Sequence, residues 1–100
     1  MIKHIVMWNV KGTTPEEKHV IAQGIKAKFE SLVGTVPGLL SLEIGVDCSR
    51  VSYACDVVLY SEFRDHDSLK AYADHPAHLK IRDELKDLRT ARFQVDYARA

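Results

Sequence analysis

The chain has 100 residues, equal numbers of basic (14) and acidic (14) side chains, and a hydrophobic content of 46%. This is the length of one domain and the composition of an ordinary globule. It argues against a disordered tail and leaves no basic surplus to draw the chain to nucleic acid or an anionic membrane. Cys48 and Cys55 have no C-x-x-C spacing and do not form a disulfide framework, a redox motif or a zinc ribbon. No apolar run approaches the ~20 residues of a membrane span, so a cytoplasmic protein is expected.

The first segment, "IKHIVMWNVK", is rich in β-branched and aromatic residues and reads as a strand. It carries Lys3 and His4 and no cleavage site, which argues against a leader peptide. Ile2, Val6, Trp8 and Val10 alternate on one face and Ile5 and Met7 on the other, the pattern of a strand covered on both sides. "GTTPEEK" opens a helix, with Thr14 as N-cap, Pro15 at the first helical position and Glu17 completing a capping box. Ile21, Ile25, Phe29 and Leu32 form its apolar stripe, and Gly34 is placed to stop it. Pro37-Gly38 centres a turn.

"LLSLEIGVD" is a second strand with Leu40, Leu42 and Ile44 on one face, and "CSRVS" connects it to a third, "YACDVVLYSEF". There Val57 and Leu59 share one face and Val58 and Tyr60 the other. A helix begins near Asp65 or Asp67, either of which can cap it, with Leu69 and Tyr72 on its inner side. Pro76 breaks it, because the residue before a proline avoids the helical region. A further helix is expected from Ala77 to about Leu88, and "ARFQVDY" closes the chain as a fourth strand. The order β-α-β-β-α-β is that of an α+β, ferredoxin-like antiparallel sheet with helices on one face.

Helices on one face leave the other bare. That face would carry Ile5 and Met7, Val58 and Tyr60, and Phe93, Val95 and Tyr97, more contiguous apolar surface than a monomer leaves in water. The expectation is a homodimer in which two sheets pack face to face as a barrel-like core.

His78, Ile81, Leu85 and Leu88 are spaced three, four and three, so His78 is expected to point inward with the core residues of its stripe. His4 shares the inward face of the first strand, opposite Tyr72 and His78. Polar side chains meeting in an apolar space make a small-molecule site. An imidazole there can serve as general base, and a tyrosine hydroxyl can donate to a carbonyl or enolate oxygen. The competing reading is a helix join whose histidines merely fill the core. His75 can hold the break through the backbone, and His19 and His66 fall on exposed faces with no role. His75-x-x-His78 straddles the break, with no sulfur or acidic ligand at metal spacing, so no metal is expected. On the last strand Arg92, Gln94 and Asp96 fall on the helix side. They either reach solvent at an open edge, or Arg92 and Gln94 line one end of the pocket and meet a carboxylate or carbonyl oxygens.

With "KHIV", "VLYSEF", "LKAYADHPAHLK" and a closing "VDY", the chain resembles the stress-responsive dimeric α/β-barrel (Dabb) family over nearly its whole length. The resemblance implies a homodimer of ferredoxin-like subunits. A plant subset of the family cyclises linear polyketides by intramolecular aldol chemistry without a cofactor. By that resemblance His78 is the base and Tyr72 its aid, with His4 and His75 lining the pocket. Trp8, Arg92 and Gln94 would crowd or polarise what in the cyclases is a long aliphatic tunnel. The expected function is therefore a small carbonyl or phenolic ligand held between sheet and helices, with cofactor-independent aldol cyclase or lyase chemistry. A non-catalytic binding protein of stress, a cofactorless monooxygenase, and a dimer whose pocket is filled by its own side chains are the alternatives.

Overall fold

A computed structural model describes residues 1–100. The elements are β1 (Ile2–Val10), α1 (Pro15–Glu30), β2 (Leu39–Val46), β3 (Val57–Phe63), α2 (His66–Asp74), α3 (Pro76–Leu85) and β4 (Arg89–Ala98). The strands form one antiparallel sheet in the order β2-β3-β1-β4. Alternation along β1 decides which face is covered: Ile2, His4, Val6, Trp8 and Val10 are all buried. From β3 the buried set is Val57, Leu59, Ser61 and Phe63. α1 lays Ala22, Ile25 and Phe29 onto this face, Leu32 joins them from the turn that follows, and Tyr72, Ile81 and Leu85 come from α2 and α3. The fold is the expected α+β ferredoxin-like arrangement, with its second helix in two pieces.

The capping of α1 differs slightly from the sequence reading. Thr14 accepts from the Glu17 N–H at 3.2 Å, but the Glu17 carboxylate reaches one residue further back and accepts from the N–H and hydroxyl of Thr13. Those bonds hold the Glu17 carboxyl below its ordinary pKa. Asp65, not Asp67, caps α2 by accepting from the Ser68 N–H at 2.8 Å.

Two boundaries and one side-chain facing move. β3 begins at Val57 and not at Tyr53, because Asp56 turns aside and accepts from the Val10 N–H on β1. α3 ends at Leu85, short of Leu88. Leu40 does not share a face with Leu42: the β2–β3 register slips between Leu39 and Ser41, so Leu39 turns inward and Leu40 is exposed. A one-residue bulge moves a side chain to the other face of a sheet, which period-two reading cannot anticipate.

Gly38, with φ of +81°, joins the first turn of α2 to the start of β2. An added Cβ would lie 2.2 Å from the Ser68 hydroxyl oxygen and 2.4 Å from the Ser68 Cβ. The Gly38 carbonyl also accepts from the Arg64 N–H at 2.9 Å, so the segment cannot swing away freely. Gly38→Ala combines left-handed backbone strain with overpacking and should cost about 2–5 kcal/mol. Gly24, inside α1, has nothing within 4 Å of an added Cβ, and Gly24→Ala should stabilise by about 0.5–1 kcal/mol. Urea midpoints moving in opposite directions for the two variants are the expected result.

Candidate functional site

The break between α2 and α3 builds the site. His75, before Pro76, is extended (ψ 135°) and serves both helices. Its N–H donates to the Tyr72 carbonyl at 3.1 Å, closing α2, and its Nδ1 accepts from the Ala77 N–H at 3.0 Å, capping α3. His78 then reaches back across the break. Its Nδ1 lies 3.1 Å from the Ala73 carbonyl, one of the acceptors that a helix C-terminus leaves without an intrahelical partner. A carbonyl can only accept, so Nδ1 carries the proton and the neutral imidazole keeps its lone pair on Nε2.

The His78 ring sits 4.3 Å from the Tyr72 ring, centroid to centroid, and Tyr72 is in turn 6.1 Å from His4. Tyr72 is buried, and burial pushes its phenol pKa well up, opposed by the positive charges of Arg89 and Arg92. It therefore stays a hydrogen-bond donor at any physiological pH. His78 is half-buried; desolvation lowers its pKa, the bond to Ala73 works against that, and Arg82, His4 and Arg89 push it down further. A base held below the ordinary 6.5 is in its neutral form at pH 7. Protonation in acid is disfavoured in the folded state, so the stability tied to neutral His78 is present above its unfolded pKa and is lost as pH falls through the lower folded value. An NMR titration of the His78 ring should give a midpoint below 6.5. A midpoint at 6.5 would show that the ring is hydrated, and one above it that the bond to Ala73 outweighs burial.

His4 is fixed from β4. The β1–β4 register sets His4 opposite Asp96, and His4 Nδ1 is 2.5 Å from Asp96 Oδ1. The other Asp96 oxygen accepts from Gln94 Nε2 at 2.9 Å. His4 thus has the same arrangement as His78: Nδ1 donating, Nε2 unprotonated in the neutral ring.

These groups bound one cavity of about 330 Å³, near the lower end of the range for small-molecule sites. Five of the residues singled out in the sequence line it: His4, Tyr72, His78, Arg92 and Gln94. Its outer wall is β4, which the helices leave uncovered, so Arg92 and Gln94 reach solvent and line the cavity at once. His75 and Trp8 lie outside it. The His75 ring is occupied as a helix cap. Trp8 is in the core, stacked on Phe29 at 5.3 Å, with its N–H as the one buried side-chain polar atom lacking a partner.

Sequence reasoning left out four residues here. Asp96 had been placed on the helix side without a role, and its pairing with His4 depends on strand register. His66 and Lys70 line the cavity mouth, four apart on one stripe of α2. Arg89 depends on a bulge at the Asn9–Val10 end of the β1–β4 pair, which skips Thr90 and sets Arg89 opposite the inward Val10. Its guanidinium carbon lies 5.1 Å from the centre of the Trp8 ring.

A larger cleft of about 580 Å³ opens between the start of α1 and the β2–β3 connection. Most of its charged groups are already engaged, the Arg50 guanidinium excepted. Lys18 pairs with Asp56, and Asp47 accepts from Ser49 and Arg50 to shape the loop. No acid–base pair converges there, so the smaller cavity is the candidate site.

Comparison with known proteins gives consistent results. The family model described as the stress responsive A/B barrel domain matches residues 2–99. An uncharacterized protein of Streptomyces coelicolor is 35% identical over 79 residues, 78% of this chain and 79% of that protein. A crystal structure of a dimeric protein of unknown function with a ferredoxin-like fold, from Bacteroides fragilis, is 32% identical. It has a TM-score of 0.84, with 96% of this chain and 93% of that one covered. A hydroxynitrile lyase from Passiflora edulis shares the fold at 16% identity, with a TM-score of 0.77 over 96% of this chain and 90% of its own.

Proposed function

The chain belongs to the stress-responsive A/B barrel domain family, and from that premise we propose that it is a homodimer binding a small carbonyl or phenolic compound in the His4–Tyr72–His78 cavity. On it the protein performs cofactor-independent acid–base chemistry of the aldol cyclase or lyase kind. The observation that carries this reading is the Tyr72–His78 pair. A buried phenol that stays protonated stands 4.3 Å from an imidazole whose Nδ1 is tied to backbone. Nε2 removes a proton α to a carbonyl, and the Tyr72 hydroxyl donates to the oxygen on which the enolate charge develops. The same Nε2, now protonated, returns the proton to the product, and His4, held by Asp96, lines the cavity beside Tyr72.

The dimer reading rests on the open sheet face. Met7, Phe93, Val95 and Tyr97 are each between 39% and 55% exposed in the single chain. The described dimeric state of the Bacteroides relative supports it. No helix is long and apolar enough to cross a membrane.

The test requires no knowledge of the natural substrate. A panel of methyl ketones and 1,3-dicarbonyl compounds is incubated with the protein in D₂O, and loss of the α-proton signal is followed by NMR. Exchange above the buffer rate is expected, and it should vanish in His78→Ala. Tight binding with no exchange by any member would favour a non-catalytic binding protein instead.

A further inference from the structure

The whole chain is electrically neutral, but its charges are not evenly paired. Six ion pairs form, on Lys3, Lys18, Lys26, Lys28, Arg64 and Lys86. Lys70, Arg82, Arg89 and Arg92 belong to none of them, nor do Lys11, Arg50, Lys80 and Arg99, which are exposed. Two of these, Lys70 and Arg92, line the candidate cavity, together with the imidazole of His66. Arg89 is half-buried against Trp8 behind it, and Arg82 lies one helical turn beyond His78 on α3. The single carboxylate in the cavity wall, Asp96, is already engaged by His4 and Gln94. The guanidiniums also act on one another: after burial, Arg92 and then Arg82 lower the pKa of Arg89. Like charges that outnumber the one carboxylate destabilise the empty site, and an anion entering it relieves that repulsion.

Strand geometry gives the anion a place relative to the chemistry. Asp96 stands opposite His4 in the sheet and Arg92 opposite Trp8, four residues apart along β4. That separation is roughly 13 Å at the usual rise of a strand. His4 is therefore toward one end of the cavity and Arg92 toward the other, with Lys70 on α2.

We propose that the compound bound here carries a carboxylate as well as its carbonyl group. The carboxylate is held by the forked guanidinium of Arg92 with Lys70 and Arg89 in support, and the carbonyl lies at Tyr72 and His78. The inference rests on the cavity being a ligand site and narrows the ligand to oxo acids. Planar, two-pronged recognition is what a guanidinium offers a carboxylate and a neutral ketone cannot use.

The experiment compares 4-oxo-4-phenylbutanoate with its uncharged N-methylamide. Affinity is read by titration calorimetry at low ionic strength, and location by the shift of the His78 ring signals in NMR. The carboxylate should bind roughly tenfold or more tightly than the amide, and added salt should narrow the gap. Arg92→Gln, an exposed change on an edge strand that leaves the core intact, should abolish most of the gap, the carboxylate losing far more affinity than the amide. Equal affinities in the unmodified protein, or an equal loss for both compounds in Arg92→Gln, overturn the oxo-acid inference and leave the ligand site standing. Failure of both compounds to shift His78 overturns the ligand site itself and this inference with it.

Discussion

Val95→Asp is expected to turn the protein into monomers or aggregates, read as a change in elution volume or in sedimentation. Val95 lies in the middle of β4 on the open face and is 52% exposed in the single chain, between Phe93 at 55% and Tyr97 at 43%. The register pairs it with Ile5, and Ile5 in turn with Tyr60 on β3, so the three cross the sheet as one row. At one end of this face the polar groups are already satisfied: Lys3 contacts the Tyr60 hydroxyl and the Glu62 carboxylate, and Tyr60 donates to Glu62 at 3.0 Å. The centre of the face thus asks only for apolar cover, and the margin brings its own ion pair. In a two-fold dimer every substitution appears twice. Two carboxylates would be taken out of water at several kcal/mol each, enough to cancel a standard-sized interface. Val20→Asp is the control. Val20 is 71% exposed on the outer side of α1, and a charge there should change nothing. An unchanged elution volume for Val95→Asp would show that the two sheets do not meet.

How much of this was legible in the sequence depends on whether a signal was local. The strict alternation of Ile2, His4, Val6, Trp8 and Val10 identified both the strand and its covered face. The caps Thr14 and Asp65 marked helix starts, and Pro76 marked the break that orients His78. All of these are properties of a few adjacent residues. What escaped depends on how distant segments slide against each other. Leu40 was assigned to the covered face because a bulge in β2 cannot be seen without its partner strand. Arg89 was missed for the same reason on β4, where skipping Thr90 brings it to the inward side. Asp96 meets His4 only through the register of the first and last strands. The resemblance implies a pocket role for His75, but its own position before Pro76 points to the backbone, and its ring is a cap. Trp8 is expected to crowd the pocket, yet a flat ring beside Phe29 buries more apolar area by stacking than by lining a cavity. Local chemistry could therefore locate Tyr72 and His78, and only pairing could supply the charges around them.

The second large effect concerns that pair. If His78 is the base, His78→Ala should lower the rate of α-proton exchange by about 10²–10⁴-fold, the usual contribution of a positioned general base. Removing the Tyr72 hydroxyl as Tyr72→Phe should lower it by about 10²–10³-fold, the cost of one preorganised donor to a developing oxyanion. The two act on a single transition state, so the double variant should lose far less than the product of the single losses. Fold loss is an unattractive explanation for either result. Tyr72→Phe keeps the ring packed against Phe63 at 5.0 Å, and His78 is only partly covered, so its truncation leaves the buried Ile81 and Leu85 of the same helix in place. The pH profile separates a base from a mere wall of the pocket. Burial holds His78 below 6.5, so exchange should be flat through neutrality and fall in acid along a limb that His78→Ala abolishes. One rival is close at hand. His4 is also tied through Nδ1, to Asp96, and also lies beside Tyr72. Exchange that survives His78→Ala but disappears in His4→Ala would move both the abstraction and the return of the proton to His4 Nε2 on the strand side of the cavity.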